Sequence, residues 1–416
     1  MKTFLHFRPE YVREFVCDGS KCNANCCERN WNIDIDAETY ERYEKLQPAS
    51  KSRAITSCFV YNPCDKIYFL KEHPCPFLTD EKLCRLQLEY GENFLSKTCV
   101  TFPRQTFDFG KFFERSLSLS CPVAAEMILF RDEPLKFELV EVSEPEHSRG
   151  GKLKLDPVDT NENFVDKMLE LQVAMISILQ ERTLSFDQRL IVLGFFMDRL
   201  REITAAGFRA DEVAKLVAAY ESKAFLSQHV PRMFASVNFN VKFFVELMLL
   251  LLEKLQYFLI NAAGQKFMDA TVKTFDIYPD ANRQISVDKV VAAYEKLADA
   301  RKDFLTRHAT FIENFLVNEI FANGCPWKFP VGIAKNFGLF VAQYKQFELL
   351  MFSATRQNLG DKDNLLALTS WFVGASDNNK NFAQVVLSCV PDDIFTSLEM
   401  LTDAQSILVD TKKAVL

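Results

Sequence analysis

Cysteine carries the strongest chemical signal in this chain. The stretch FVCDGSKCNANCCERNW, Phe15 to Trp31, places Cys17, Cys22, Cys26 and Cys27 within eleven residues, the last two adjacent. Of twelve cysteines, ten lie at or before position 121, the others being Cys58, Cys64, Cys75, Cys84, Cys99 and Cys121. Thiolates bind soft metals and iron–sulfur clusters, which commonly take four of them. Ligands close together in sequence also cost less chain entropy when one turn supplies several. A zinc ribbon prefers paired C-x2-4-C knuckles, and only Cys22 to Cys26, with three residues between, approaches one. The irregular spacings therefore rank an iron–sulfur centre ahead of zinc, and both ahead of disulfides or inert buried thiols. Cys58 and Cys64 sit in a polar, insertion-like stretch and are the least committed. Cys325 and Cys389 stand alone in helical surroundings, where a buried structural thiol is the default.

The elements that must hold these thiols change character near position 135. Before it, short apolar clusters alternate with Pro, Asn, Asp and Cys, as in HPCPFLTDEKLC. Helical periodicity comes there in short pieces. IDAETYERYEKL has Asp36 as its N-cap, and LSCPVAAEMILF has Pro122 in a first turn. KFFERSLSLS and KFELVEV alternate enough for short strands. The segment VSEPEHSRGGKLKLDPVDT is rich in Pro, Gly and charge and has no sustained apolar face. Beyond it, FVDKMLELQVAMISILQ, SFDQRLIVLGFFMDRLREI and SVDKVVAAYEKLADARKDFL repeat apolar residues at three- and four-residue spacing. Ser185 and Gln188 make a capping box. The expected fold is mainly α: an irregular cysteine-rich metal-binding domain over 1–135, a linker or exposed loop over 136–160, and a multi-helix domain over 161–416.

Bulk composition narrows the function classes. The chain has 416 residues, 48% hydrophobic and 25% charged, with 39 phenylalanines, which fits a globular protein with aromatic-rich cores. A formal net charge of -7 argues against bulk attraction to nucleic acid or to an anionic membrane. The start MKTFLHFRPEYVREF lacks an apolar export core, and FFVELMLLLLEKLQYFLI carries Glu246, Glu253 and Lys254 within it. A membrane span needs about 20 mostly apolar residues, so that run is expected to be a core helix and the protein cytoplasmic. In a reducing compartment dense cysteines point to metal or redox chemistry rather than a disulfide framework.

Three segments taken together carry a resemblance. FVCDGSKCNANCCERNWNIDIDAETYERY, CPFLTDEKLCRLQLEYGENFLSKTCVTFPR and SLSLSCPVAAEMILF resemble the flagellin lysine-N-methylase family. That family is related to a broader group of cysteine-cluster proteins with a C-x-x-C-x-x-C-C core, thought to chelate iron or zinc. The likeness is dense over residues 11–130 and diffuse over the helical remainder. It implies a set of eight metal-binding thiols: Cys17, Cys22, Cys26, Cys27, Cys75, Cys84, Cys99 and Cys121. Cys58 and Cys64 fall outside it. It further implies an iron–sulfur cluster, [4Fe–4S] in kind with zinc as the alternative, S-adenosylmethionine as methyl donor, and flagellin lysines as acceptors. The spacing departs from the broader group, being x4, x3 and zero instead of x2, x2 and zero. Radical S-adenosylmethionine enzymes use C-x3-C-x2-C, and the residue that would complete that pattern after Cys26 is Arg29.

The residues themselves show no conventional donor site. There are 13 glycines, no G-x-G, no Walker A sequence and no H-E-x-x-H, which disfavours a Rossmann-type cradle. Arg104, five residues beyond Cys99, is the candidate for the donor's carboxylate or for tuning a cluster by a charged hydrogen bond; an arginine paired to a nearby acid is the plain alternative. Asp34 and Asp36 are candidates for a lysine ammonium, although Asp36 is already accounted for as a cap. Trp31, Phe102, Phe107, Phe112 and Phe113 could line a slot for a lysine stem, or simply be core. An acceptor lysine must also lose its proton, since an ammonium has no lone pair. A cluster carrier, redox sensor, assembly factor or zinc-stapled scaffold without catalysis stands as the second function class.

Overall fold

The computed structural model describes the chain apart from residues 1–2, 18, 20–21, 23–25, 29–32, 64–65, 144–150, 155–161, 259–261, 282–283, 379 and 402–416. It divides into two compact units. The first comprises Met1–Asp108, Phe112–Met127 and Lys136–Leu153, and the second comprises Phe109–Lys111, Ile128–Leu135 and Lys154–Leu416.

The first unit is built on two sheets. β1 (Thr3–Pro9), β5 (Arg104–Asp108), β6 (Phe113–Leu117), β7 (Phe137–Ser143) and β8 (Gly151–Lys154) form one, in the order β7-β1-β6-β5-β8. β1 runs parallel to β6, with His6 opposite Phe113, and antiparallel to β7, with Arg8 opposite Glu138. That last pair is an ion pair at 2.9 Å across the ladder, the cross-strand arrangement that favours opposite charges. The smaller sheet is antiparallel, in the order β2 (Asp34–Ile35), β4 (Ile67–Leu70), β3 (Phe59–Asn62). Ile33, Ile35, Tyr43, Ile55, Phe59, Leu70, Phe77 and Leu86 make its core.

Short helices punctuate this unit. α1 (Tyr11–Glu14) follows β1, and α2 (Ala37–Glu44) starts where the Asp36 carboxylate accepts the Thr39 N–H at 3.1 Å. α3 (Ala49–Thr56), α4 (Arg85–Tyr90), α5 (Lys97–Thr101) and α6 (Pro122–Leu129) come next. The expectation of an irregular N-terminal domain is thus corrected. Its strands are only two to seven residues long; β3 with β4 and β5 with β6 pair antiparallel across four-residue connections, whereas β1 pairs with partners far along the chain, which no local turn marks. The segments KFFERSLSLS and KFELVEV do contain β6 and β7. Residues 136–160, expected as a linker or exposed loop with KFELVEV as a short strand, supply β7 and β8, with part of the stretch outside the described residues.

The second unit is helical, from α7 (Glu162–Leu179) and α8 (Phe186–Ala205) through α9 (Ala210–Glu221), α10 (Lys223–Ala235), α11 (Val241–Phe258) and α12 (Ala262–Phe275). α13 (Val287–Lys296) and α14 (Ala298–Arg307) break at Leu297 what the periodicity suggested was one helix. α15 (Ala309–Ala322), α16 (Gly332–Arg356), α17 (Lys362–Asn378), α18 (Lys380–Cys389) and α19 (Ile394–Leu398) complete it. The Ser185–Gln188 capping box opens α8. α16 is 25 residues long and buried through most of its length, its Phe347 ring stacked on Phe315 of α15 at 4.1 Å. The apolar run around 243–260 is largely α11, and among the described residues no helix is long and apolar enough to cross a membrane. The mainly helical character expected from periodicity holds for the chain.

Candidate functional site

The first unit contains a cavity of about 350 Å³ whose wall includes Cys17, Cys22, Cys26, Cys27, Cys75, Cys84, Cys99 and Cys121. These are the eight thiols of the sequence pattern. Each arrives on its own local device. Cys17 lies just beyond α1, where the Gly19 N–H donates to its sulfur at 3.4 Å. Cys22 is tied by its N–H to the Gly19 carbonyl at 3.2 Å; Gly19 itself has φ +55, a conformation glycine adopts without strain. Cys26 and Cys27 open a 3-10 turn, Cys26–Glu28. The Cys75 N–H donates to the Cys27 carbonyl at 2.9 Å, which holds two distant segments together.

The remaining thiols sit at or beside helix starts. Cys84 is the N-cap residue of α4 and bridges to Leu78. Cys99 lies in the first turn of α5, where the Ser96 hydroxyl accepts its backbone N–H at 3.2 Å. Cys121 precedes Pro122, the first residue of α6. Backbone N–H groups flank three of the sulfurs: those of Phe77 and Leu78 beside Cys75, Leu86 and Gln87 beside Cys84, and Val123 and Ala124 beside Cys121. Amides in that position favour the thiolate and are a recognised lever on the potential of a thiolate-bound cluster.

Protonation follows from burial and from the crowding of sulfurs. Desolvation pushes the Cys99 and Cys121 thiols up to about 12 and raises Cys84 as well. Cys75 goes the other way, to about 7, chiefly because the Cys27 thiol donates to it. Cys27, hydrogen-bonded to Cys26 and Cys75, is raised in return. A soft metal would displace thiol protons on binding. Among the described residues no three His, Cys, Asp or Glu side chains gather tightly enough to hold a single ion; the sulfurs ring the wall instead. In donor chemistry the set fits a thiolate-bound centre.

Arg104 also lines the cavity, at the start of β5, its guanidinium 5.1 Å from the centre of the Phe15 ring. Of the aromatic candidates Phe102 is on the wall, while Phe107 and Phe112 are buried core; Trp31 lies outside the described residues. Phe113 packs on Phe4 and His6. Asp36 is engaged as the cap of α2, and its Oδ2 also accepts the Lys97 N–H at 3.2 Å. Burial works to raise that carboxyl, but the hydrogen bonds from Thr39 and Lys97 outweigh it and hold it below the ordinary range. Asp34 pairs in β2 with Phe69. Cys58 is half-buried against the small-sheet core and off the cavity wall, and Cys64 lies outside the described residues. Cys325 is buried, its thiol raised to about 12, whereas Cys389 ends α18 half-exposed.

The family described as "FliB lysine N-methylase C-terminal domain" matches residues 172–402, more than half of the chain. The chain belongs to the flagellin lysine N-methylase family. Among curated proteins, the Lysine-N-methylase of Salmonella choleraesuis (strain SC-B67) is 34% identical over 143 residues, 31% of this chain and 33% of the relative. The Lysine-N-methylase of Salmonella typhimurium LT2 is 33% identical over the same length, again with 33% of the relative covered. The Flagellar biosynthetic protein FliU of Salmonella muenchen is 33% identical, with 79% of its length covered. The chain thus spans about a third of the length of the two lysine-N-methylases it matches. No solved structure matches it.

Several wall residues escaped the sequence reading. Phe15, Tyr43 and Ser96 have no motif of their own. The Cys-Pro dipeptides at Cys75–Pro76 and Cys121–Pro122 were the available signal. Proline brings no N–H of its own and suits a first helical turn; amides at the same two positions flank Cys84, which Arg85 follows.

Proposed function

We propose that the protein is a lysine N-methylase that uses S-adenosylmethionine and acts on flagellin in the cytoplasm before export. The observation that carries the reading is the gathering of the eight thiols on one cavity within the sheet unit. Sulfurs spread around a wall suit a cluster, whose thiolates each bind a different iron. They suit a single zinc less well, since that ion needs four sulfurs about 2.3 Å from one point. Cys17, Cys22, Cys26, Cys27, Cys75, Cys84, Cys99 and Cys121 are the residues that would hold the iron. A bound iron–sulfur centre would supply Lewis acidity and one-electron chemistry at the donor.

The chain's own residues have separable tasks. Arg104 offers a fixed positive charge to the donor's carboxylate, steadied by the Phe15 ring. The apolar part of the wall, including Ile33, Tyr43, Leu86 and Phe102, excludes water. That desolvation favours the neutral amine of an entering lysine, the form with a lone pair to take the methyl group. In the overall exchange a carbon–nitrogen bond forms as the donor's carbon–sulfur bond breaks, and one lysine proton is released. The helical unit, which contains the family match, would grip the protein substrate.

The test is anaerobic incubation of the reconstituted protein with S-adenosylmethionine and flagellin, followed by mass mapping of flagellin lysines. Methylated lysines that vanish with Arg104→Gln, with cluster content retained, support the reading. A loaded protein that binds no S-adenosylmethionine and transfers nothing would sink it in favour of a carrier or sensor.

A further inference from the structure

Few charged side chains line the cavity of the sheet unit; among the described residues they are Lys82, Glu92 and Arg104. Lys82 is held in an unusual way. It lies near the tip of a turn whose two sides, Leu78 and Cys84, bridge antiparallel. The Lys82 N–H donates to the Thr79 carbonyl and the Thr79 N–H to the Leu83 carbonyl, both at 2.9 Å. The Thr79 hydroxyl also accepts the Leu83 N–H at 3.3 Å. This turn sets Lys82 at φ +61, left-handed backbone where glycine or asparagine is the usual occupant and a β-carbon brings strain. The Lys82 ammonium reaches the Glu28 carboxylate, Nζ to Oε1 at 3.2 Å. Glu28 closes the 3-10 turn that begins with Cys26 and Cys27, both of which line the same wall. Side-chain exposures of 41% for Lys82 and 37% for Glu28 place the pair at the edge between cavity and solvent.

From this geometry, and resting on the methylase reading above, we propose that Glu28 is the receptor for the ammonium of the acceptor lysine and that Lys82 is its internal occupant. A substrate lysine arrives charged, and a carboxylate at the rim recognises that charge before the stem meets the apolar wall. The chain already shows a lysine in that pose. When a substrate lysine takes the place of Lys82, one ammonium is exchanged for another and the carboxylate stays paired. An ion pair this exposed is weak, so the exchange costs little. The acid singled out by residue type, Asp36, is committed elsewhere: it caps α2 and accepts the Lys97 N–H. Lys82 thereby lowers the apparent affinity for the protein substrate, and Glu28 raises it. The ligand class is the alkylammonium head of a lysine on a protein chain.

The experiment measures the Kd of the full chain for flagellin, and for flagellin whose lysines have been chemically acetylated. Wild type is compared with Lys82→Met, Glu28→Gln and Glu92→Gln. Lys82→Met should bind unmodified flagellin about two- to fivefold tighter, and Glu28→Gln about two- to fivefold weaker. Acetylated flagellin, which carries no lysine charge, should not distinguish the variants. Lys82→Gly suits the left-handed backbone, so it removes the ammonium without strain and should reproduce Lys82→Met. A pair that is only structural would weaken binding alike from either side, and shifts in the same direction overturn the proposal. So does a response to Glu92→Gln in place of Glu28→Gln, or an equal response with acetylated flagellin. Any of these, with wild type still methylating flagellin, leaves the methylase reading standing. Wild type that neither binds nor methylates flagellin overturns that reading together with this one.

Discussion

In the helical unit α16 buries nearly every side chain along 25 residues, with rings stacked on its neighbours. In the sheet unit the space beside the small core is a cavity of about 350 Å³ walled by sulfur. The first region is held by close packing of apolar surface, which long helices with three- and four-residue periodicity supply directly. The second has strands of two to seven residues and helices of four to eight, and leaves its centre to donor atoms. One region is close-packed and the other encloses open space. If the proposed thiolate centre is present, mutations should therefore cost stability in the helical unit and metal in the sheet unit.

The largest effect is expected at Glu313, buried on α15 and bound by Arg189 at 2.7 Å and Arg182 at 2.8 Å. Glu313→Ala leaves the buried Arg189 guanidinium without its anion, at a cost of about 3–5 kcal/mol, read by urea unfolding. An unchanged midpoint would break the comparison. Next comes Gly264→Ala in α12, whose added Cβ would clash with the Trp371 ring. Overpacking there should cost about 1–3 kcal/mol, with iron content untouched.

Smaller effects belong to the sheet unit. Asp36→Ala removes the cap of α2, at about 0.5–2 kcal/mol, measured by thermal unfolding. Because the folded carboxyl lies below its ordinary value, its contribution is complete above the unfolded value near 3.9 and fades as pH falls through the folded one. Wild type and Asp36→Ala should therefore converge in acid; a constant gap at every pH would contradict the cap's role. Least affected should be Cys58→Ser, off the cavity wall, with stability within about 0.5 kcal/mol and full iron content. Lost iron there would redraw the ligand set.

The same contrast explains what could be read from residues alone. Periodicity exposed the helical unit because its elements are long and amphipathic; Ser185 with Gln188, and Asp36, stand where capping chemistry requires. It missed the break at Leu297, since apolar spacing runs unchanged across it. In the sheet unit β6 and β7 were legible as alternating segments, but the sheet joining them was not, because β1 finds its partners only through the register His6 to Phe113 and Arg8 to Glu138, and no local turn announces such pairs. The cysteine set was visible as residue type and number. Its gathering on one cavity wall was not, because that depends on distant segments meeting, as where the Cys75 N–H reaches the Cys27 carbonyl.

The central claim is that the cavity thiols exist to hold an iron–sulfur centre. The most direct measurement is the visible spectrum, with iron, sulfide and zinc analysis, of protein purified without oxygen, compared with Cys26→Ala combined with Cys27→Ala. A brown wild type carrying at least about four irons with matching sulfide, bleached substantially by the double substitution, is the predicted result. A colourless protein holding stoichiometric zinc, or iron unaffected by that substitution, would contradict it.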